Sequence, residues 1–130
     1  MPKRSKKKSR YHTGIYASTK GGECSYRSGW ELVYLQYLDS NPDVMSFQYE
    51  SLKLPYISNY KTGRVKWYIP DILVEYVTGE KKLIEIKPKR KIEQAQVVKK
   101  AEAGRLWCSE HGASYEIVSE IELKQLGLMK

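Results

Sequence analysis

The chain has 130 residues, of which 41% are hydrophobic and 29% charged, and this fits one domain around one packed core. No apolar run approaches the roughly 18 residues of a membrane span, no apolar leader of the export type opens the chain, and Cys24 and Cys108 stand apart from any CxxC or Cys/His cluster. A helical membrane span, a disulfide-stapled scaffold and a structural zinc domain are therefore not expected, and the cysteine usage points to the reducing interior of a cell. The net charge is +8, but Lys3, Arg4, Lys6, Lys7, Lys8 and Arg10 supply most of it, leaving 17 basic against 15 acidic residues in the remainder. Charge therefore marks an N-terminal arm able to grip phosphate backbones without sequence preference, and by itself identifies no enzyme.

Taken in chain order, residues 1–22 read as a disordered basic arm closing at Gly21-Gly22, and residues 23–130 as the folded domain. Ser28-Gly29-Trp30-Glu31 is a capping-box pattern, with Ser28 as N-cap and Glu31 at the third helical position. Trp30, Val33, Tyr34, Tyr37 and Leu38 then recur at helical spacing, and Asp39-Ser40-Asn41-Pro42 stops the helix. Strands are predicted near 44–49, 53–57, 65–76 (interrupted or entered at Pro70) and 82–87, with turns at 58–63 and at Val77-Thr78-Gly79. A second helix is predicted from Ile92 to about Glu110, ended by Gly112, with Val97, Ala101, Gly104 and Cys108 as a stripe of small residues suited to close packing on a sheet. Ser114–Val118 reads as a further strand and Glu120 to about Leu126 as a closing helix. The assembly expected is an α/β (α+β) domain: a central mixed sheet of about five strands flanked by helices.

The chemistry is concentrated in Pro70-Asp71, thirteen intervening residues, and Glu85-Ile86-Lys87. A three-residue turn at Val77-Thr78-Gly79 with Gly79 left-handed sets Tyr76 opposite Glu80, and counting back sets Asp71 opposite Glu85. Opposed residues share a face of the sheet, and strand alternation adds Lys87 to that face while Ile72, Val74, Ile84 and Ile86 turn to the core. Two opposed carboxylates repel unless a cation lies between them, and Mg²⁺ characteristically takes one or two carboxylates together with phosphate oxygens. Lys87 is then placed to orient or deprotonate an attacking water, or to carry phosphate charge, so the parts needed for phosphodiester hydrolysis are present. Glu31 has a complete explanation as a capping residue and a second one as an acid projected over the sheet. Glu75 shares the face of Asp71 but lies further along it and is peripheral. For DNA, the candidate phosphate contacts are Arg27, Lys89, Arg90, Lys91, Lys99 and Lys100, with Lys89–Lys91 just beyond the catalytic strand.

Tyr26-Arg27-Ser28-Gly29-Trp30-Glu31, Asp39-Ser40-Asn41-Pro42, Pro70-Asp71, Glu85-Ile86-Lys87-Pro88 and Trp107-Cys108 with the acidic segment Ser119-Glu120-Ile121-Glu122 together resemble the PD-(D/E)xK nucleases near the transposon-end-cleaving TnsA subunit, and more nearly the head-completion nucleases of tailed phages. The resemblance covers roughly residues 24–124. It implies a restriction-endonuclease-like core of helix, four strands, helix and strand, and endodeoxyribonuclease activity dependent on Mg²⁺, with Mn²⁺ able to substitute. It assigns Glu31, Asp71 and Glu85 as metal-site acids, the carbonyl of Ile86 as a further metal ligand, and Lys87 as the catalytic lysine. The setting implied is late virion assembly on packaged DNA, in the host cytoplasm or in the virion, with head or portal proteins and a second copy of the chain as further partners. Two other functions fit the same residues: a non-catalytic DNA-binding head-assembly protein, and a junction-resolving nuclease. Lys89-Arg90-Lys91 runs straight into the second helix with no insertion, a departure from the family that bears on substrate grip.

Overall fold

A computed structural model describes residues 13–130. Among the described residues, the elements follow in the order β1 (Gly14–Ser18), β2 (Gly22–Tyr26), α1 (Gly29–Ser40), β3 (Val44–Tyr49), β4 (Leu54–Asn59), β5 (Arg64–Tyr68), β6 (Ile72–Tyr76), β7 (Lys81–Ile86), α2 (Ala95–His111), β8 (Ser114–Val118) and α3 (Glu120–Gln125). Four strands form the central sheet in the order β3-β6-β7-β8, and two hairpins, β1-β2 and β4-β5, stand beside it. The sheet is mixed: β3, β6 and β7 run antiparallel, whereas β8 lies parallel to β7. That parallel pair needs a crossover, and α2 provides it. Among the described residues no helix is long and apolar enough to cross a membrane.

Alternation along the strands separates two cores. Ile72, Val74, Ile84, Ile86 and Val118 meet Tyr34, Leu35 and Leu38 of α1 and Leu123 of α3 on one side. Leu83 and Leu73 meet Tyr68, Tyr56, Leu54 and Cys108 under α2 on the other. Each fully buried aliphatic side chain contributes about 1.5–3 kcal/mol. The small-residue stripe on α2 is real: Val97, Ala101, Gly104 and Cys108 are its buried residues. At Gly104 a Cβ would lie 2.4 Å from the Tyr115 ring, so the helix approaches β8 to a distance that only glycine permits.

Four expectations are corrected. Among the described residues the central sheet has four strands, since β4 and β5 form a separate hairpin. The predicted strand 65–76 is two strands, because Pro70 has no N–H for a ladder and the chain leaves one sheet for another across Ile69–Asp71. α2 starts at Ala95, preceded by a short 3-10 turn at Lys89–Lys91. Of the basic arm assigned to 1–22, residues 1–12 lie outside the described residues, and 14–18 form a strand. That hairpin is held by Asp39 at the end of α1. Its carboxylate accepts from Tyr16 Oη at 2.5 Å, from Ser18 Oγ at 2.6 Å, and from the main-chain N–H groups of Thr19 and Lys20. The anchoring acid lies about twenty positions away in sequence, so no local pattern announces it.

The apolar face of α1 is also rotated from the predicted one. Glu31, Tyr34, Leu35 and Leu38 are buried, while Trp30, Val33 and Tyr37 are only half-buried. This rotation carries Glu31 inward.

Candidate active site

The β6–β7 hairpin has the predicted register. Glu75 pairs with Lys81 and Ile72 with Ile84, Tyr76 N–H donates to the Glu80 carbonyl at 2.8 Å, and Gly79 takes φ +93°. One step beyond Ile72, the chain sets Asp71 against Glu85. Both side chains are buried, at 7% and 8% exposure. The main-chain N–H of Ile86 donates to Asp71 Oδ2 at 2.7 Å, and Asp71 returns its carbonyl to the N–H of Glu50 at 2.8 Å. Lys87 Nζ lies 3.6 Å from Glu85 Oε2.

Glu85 is gripped from the other side by a residue that sequence reasoning passed over. Tyr68, the last residue of β5, donates its hydroxyl to Glu85 Oε1 at 2.7 Å. With that proton committed, Tyr115 must donate to Tyr68 Oη across their 2.8 Å contact. The Arg105 guanidinium lies 5.5 Å from the Tyr115 ring centre, and Lys100 Nζ lies 6.0 Å from that of Tyr68. Eleven tyrosines in 130 residues were the available signal, but composition does not say which of them turn inward.

The electrostatics follow from the burial. The Asp71 carboxyl is held well above the usual carboxylate range, first by burial and then by the charge of Glu85, with Glu31 adding to it; the Ile86 N–H and Lys87 oppose the shift. Glu85 is likewise raised, chiefly by burial, against the opposing effects of the Tyr68 hydroxyl, Lys87 and Lys100. Burial and the neighbouring carboxylates also push the hydroxyls of Tyr68, Tyr115 and Tyr49 above their ordinary range, so all three stay protonated.

Glu31 is brought close but is not merged with this pair. Ser28 Oγ accepts from the Glu31 N–H at 3.1 Å, as an N-cap should, but the Glu31 carboxylate does not close the capping box on Ser28. Its Oε1 accepts instead from the Arg27 N–H at 3.1 Å and from the Tyr49 hydroxyl at 2.6 Å. Among the described residues, no three His, Cys, Asp or Glu side chains gather into one cluster able to hold a metal ion. The donors the structure brings together are the facing carboxylates of Asp71 and Glu85. This is the set Mg²⁺ favours when substrate phosphate and water complete its shell, so the residues fit such an ion.

The basic residues divide. Arg27, Lys87, Arg90 and Lys91 line one cleft of about 480 Å³ together with Glu31 and Trp30. Arg27 is already engaged there, with its two terminal nitrogens on Glu50 at 2.7 and 2.9 Å. Lys89 has an exposed side chain, and its main-chain N–H donates to Glu120. Lys100 lies near enough to Glu85 to favour its charged form. Lys99 is occupied otherwise: Nζ donates to the Ser58 carbonyl at 2.7 Å and lies 4.9 Å from the Tyr60 ring centre, tying the β4–β5 hairpin to α2.

Residues 41–120 match the family described as TnsA-like endonuclease N terminal, a segment that holds Asp71, Glu85 and Lys87. The chain is also similar to the head completion nuclease of Enterobacteria phage T4, at 36% identity over 66 residues. That match takes in 51% of this chain and 43% of the T4 protein, so the chain spans less than half the length of this relative.

Proposed function

The chain belongs to the family of TnsA-like endonucleases, and we propose that it is a metal-dependent DNA endonuclease that hydrolyses phosphodiester bonds during completion of a phage head. The observation that carries the reading is the buried, facing pair Asp71 and Glu85, with Lys87 beside Glu85 and itself lining a basic cleft. A structural protein gains nothing from burying two acids against each other, since each raises the cost of charging its neighbour. The family match supports the nuclease chemistry, and the likeness to the T4 protein supports the head-completion role.

Asp71, Glu85 and the carbonyl of Ile86 would hold Mg²⁺, with Mn²⁺ as a substitute. When bound, the ion supplies positive charge against the phosphate oxygens and makes a water acidic enough to attack. The protein's own groups do the rest. Asp71 is oriented by the Ile86 N–H, so one of its oxygens has a fixed direction. Glu85 is oriented by Tyr68, which is in turn held by Tyr115. Lys87, partly exposed beside Glu85, reaches the attacking water or a non-bridging phosphate oxygen. Glu31 is an outlying acid, whose negative charge adds to the field at Asp71 and strengthens the site's preference for a cation. Arg90, Lys91 and Lys89 meet the backbone of the DNA as it leaves the site, and Lys100 adds positive charge beside Glu85.

The test is nicking of supercoiled plasmid with Mg²⁺, Mn²⁺ or EDTA, wild type beside Lys87→Ala. Nicking that needs the metal and falls by at least about a hundredfold in the variant is expected. Cutting that persists in EDTA, or that Lys87→Ala leaves untouched, would refute the assignment.

A further inference from the structure

Resting on the DNA-cutting reading, we infer that the β4–β5 hairpin is a second DNA-contacting arm, which meets the duplex beside the cut through backbone phosphates and one exposed tryptophan. From Ser51 to Pro70 the sequence holds Lys53, Lys61, Arg64 and Lys66 and not one acidic residue, in a chain whose folded part is otherwise nearly balanced in charge. The same segment carries large apolar side chains that stay in water. Trp67 is 56% exposed, Val65 55%, Ile57 44% and Tyr60 64%.

The register explains how both properties come from one strand pair. Leu54 pairs with Tyr68, Pro55 with Trp67 and Ile57 with Val65. Alternation therefore turns Leu54, Tyr56 and Tyr68 toward α2, with Lys66 opposite Tyr56 on that side but exposed, and presents Pro55, Ile57, Val65 and Trp67 outward. Lys53 Nζ sits 5.0 Å from the Trp67 ring centre, so the tryptophan face already carries a cation. The arm is held rigidly. Tyr56 Oη donates to Gln96 at 3.0 Å, Lys99 Nζ to the Ser58 carbonyl at 2.7 Å, and Tyr60 Oη to Glu102 at 3.1 Å, three tethers from the hairpin to α2.

An apolar patch intended for another protein has no need of an acid-free rim, whereas a polyanion requires one. Position gives the second reason. The inner end of the hairpin is Tyr68, whose hydroxyl touches Glu85, so the strand that carries Trp67 ends at the carboxylate pair. Basic side chains on a rigid strand pair with one aromatic face suit phosphates plus a stacked base or sugar, with no demand on sequence.

The experiment is binding of a fluorescent duplex by the full chain in EDTA, where cutting is blocked, titrated with salt. A Lys53→Ala variant, which removes the cation on the tryptophan's own face, is expected to lose several-fold in affinity and to reduce the salt slope by about 1. Trp67→Ala is expected to lose affinity with an unchanged slope. Circular dichroism and sedimentation accompany both, and the exposure of these side chains leaves the fold intact. Affinities of both variants within twofold of wild type overturn the arm, as does a Trp67→Ala change in assembly state with DNA binding unaltered, which would make this face a protein contact. Wild type that binds and loses affinity in the variants, yet never cuts with any metal, leaves the arm standing and removes the nuclease reading. Cutting by wild type with hairpin variants that bind and cut equally well removes the arm alone. A wild type that neither binds nor cuts DNA removes both.

Discussion

The N–H of Ile86 donates to Oδ2 of Asp71 at 2.7 Å, which ties the residue between Glu85 and Lys87 to the acid on the neighbouring strand. The bond does what a ladder bond would do at this point, yet its acceptor is a side chain. It orients Asp71 and offsets part of the cost of burying it. That cost is still large, because burial and Glu85 both disfavour the charged form.

Asp71 should therefore destabilise the metal-free protein at neutral pH. Its folded-state pKa is raised, so between the ordinary carboxylate range and the raised value the native state holds a proton that the unfolded chain has lost. Stability falls as pH climbs through that window and is fully regained in acid. Asp71→Asn is expected to abolish cutting while raising Tm by several degrees in EDTA at pH 7, the size of about 1–2 kcal/mol in a domain of this length, with the gain shrinking toward pH 4. Thermal melts across pH decide it. A variant less stable than wild type at pH 7 contradicts the electrostatic account.

Tyr68→Phe keeps the packing of the ring and deletes the hydroxyl that holds Glu85 and receives Tyr115. Mg²⁺ affinity should fall by about 10- to 100-fold, the usual scale for a residue that orients a ligand, and cutting should be recovered in part at high Mg²⁺. Calorimetric titration of the metal reads this directly. Unchanged affinity would leave the tyrosine as packing only.

Gly104→Ala sets two effects against each other. The helix gains about 1 kcal/mol in propensity, but the new methyl lies 2.4 Å from the Tyr115 ring, held by β8 beneath and by Tyr68 beyond. We expect net destabilisation of about 1–3 kcal/mol by urea unfolding and a fall in activity through the displaced tyrosine pair. A stabilised variant with full activity would mean that Tyr115 moves freely.

Lys99 and Lys91 should separate although both are lysines near the site. Lys91→Ala is expected to weaken duplex binding and to lower its salt slope by about 1. Lys99→Ala should cost about 1 kcal/mol of stability by freeing the hairpin from α2, and should leave the slope unchanged in binding measured over a range of salt. Equal slopes for the two variants would count against this division.

How far the site was legible depended on the reach of each signal. The facing of Asp71 and Glu85 followed from a glycine that permits a left-handed turn and from the two-residue period of strands, and the paired register agrees with it. The exit of β5 from the central sheet had only Pro70 to announce it, and a proline says that a ladder is interrupted without saying where the chain goes next. The face of α1 was misjudged because Trp30, Val33 and Tyr37 are apolar and half-buried, while the acid Glu31 is buried through hydrogen bonds that reach Tyr49 on another strand.

Sequence by itself determined the candidate acid pair and its lysine, the helix ends at Ser28 and Gly112, and the small stripe of α2, because each rests on contacts spanning a turn or a single hairpin. Tertiary structure alone decided that Tyr68 and Tyr115 hold Glu85, that Lys99 serves the hairpin, and that Asp39 fixes β1 and β2. Those bonds join positions 17 to 47 residues apart. Their partners are chosen by which side chains the packed cores leave facing one another, and that choice is made only when the whole chain has folded.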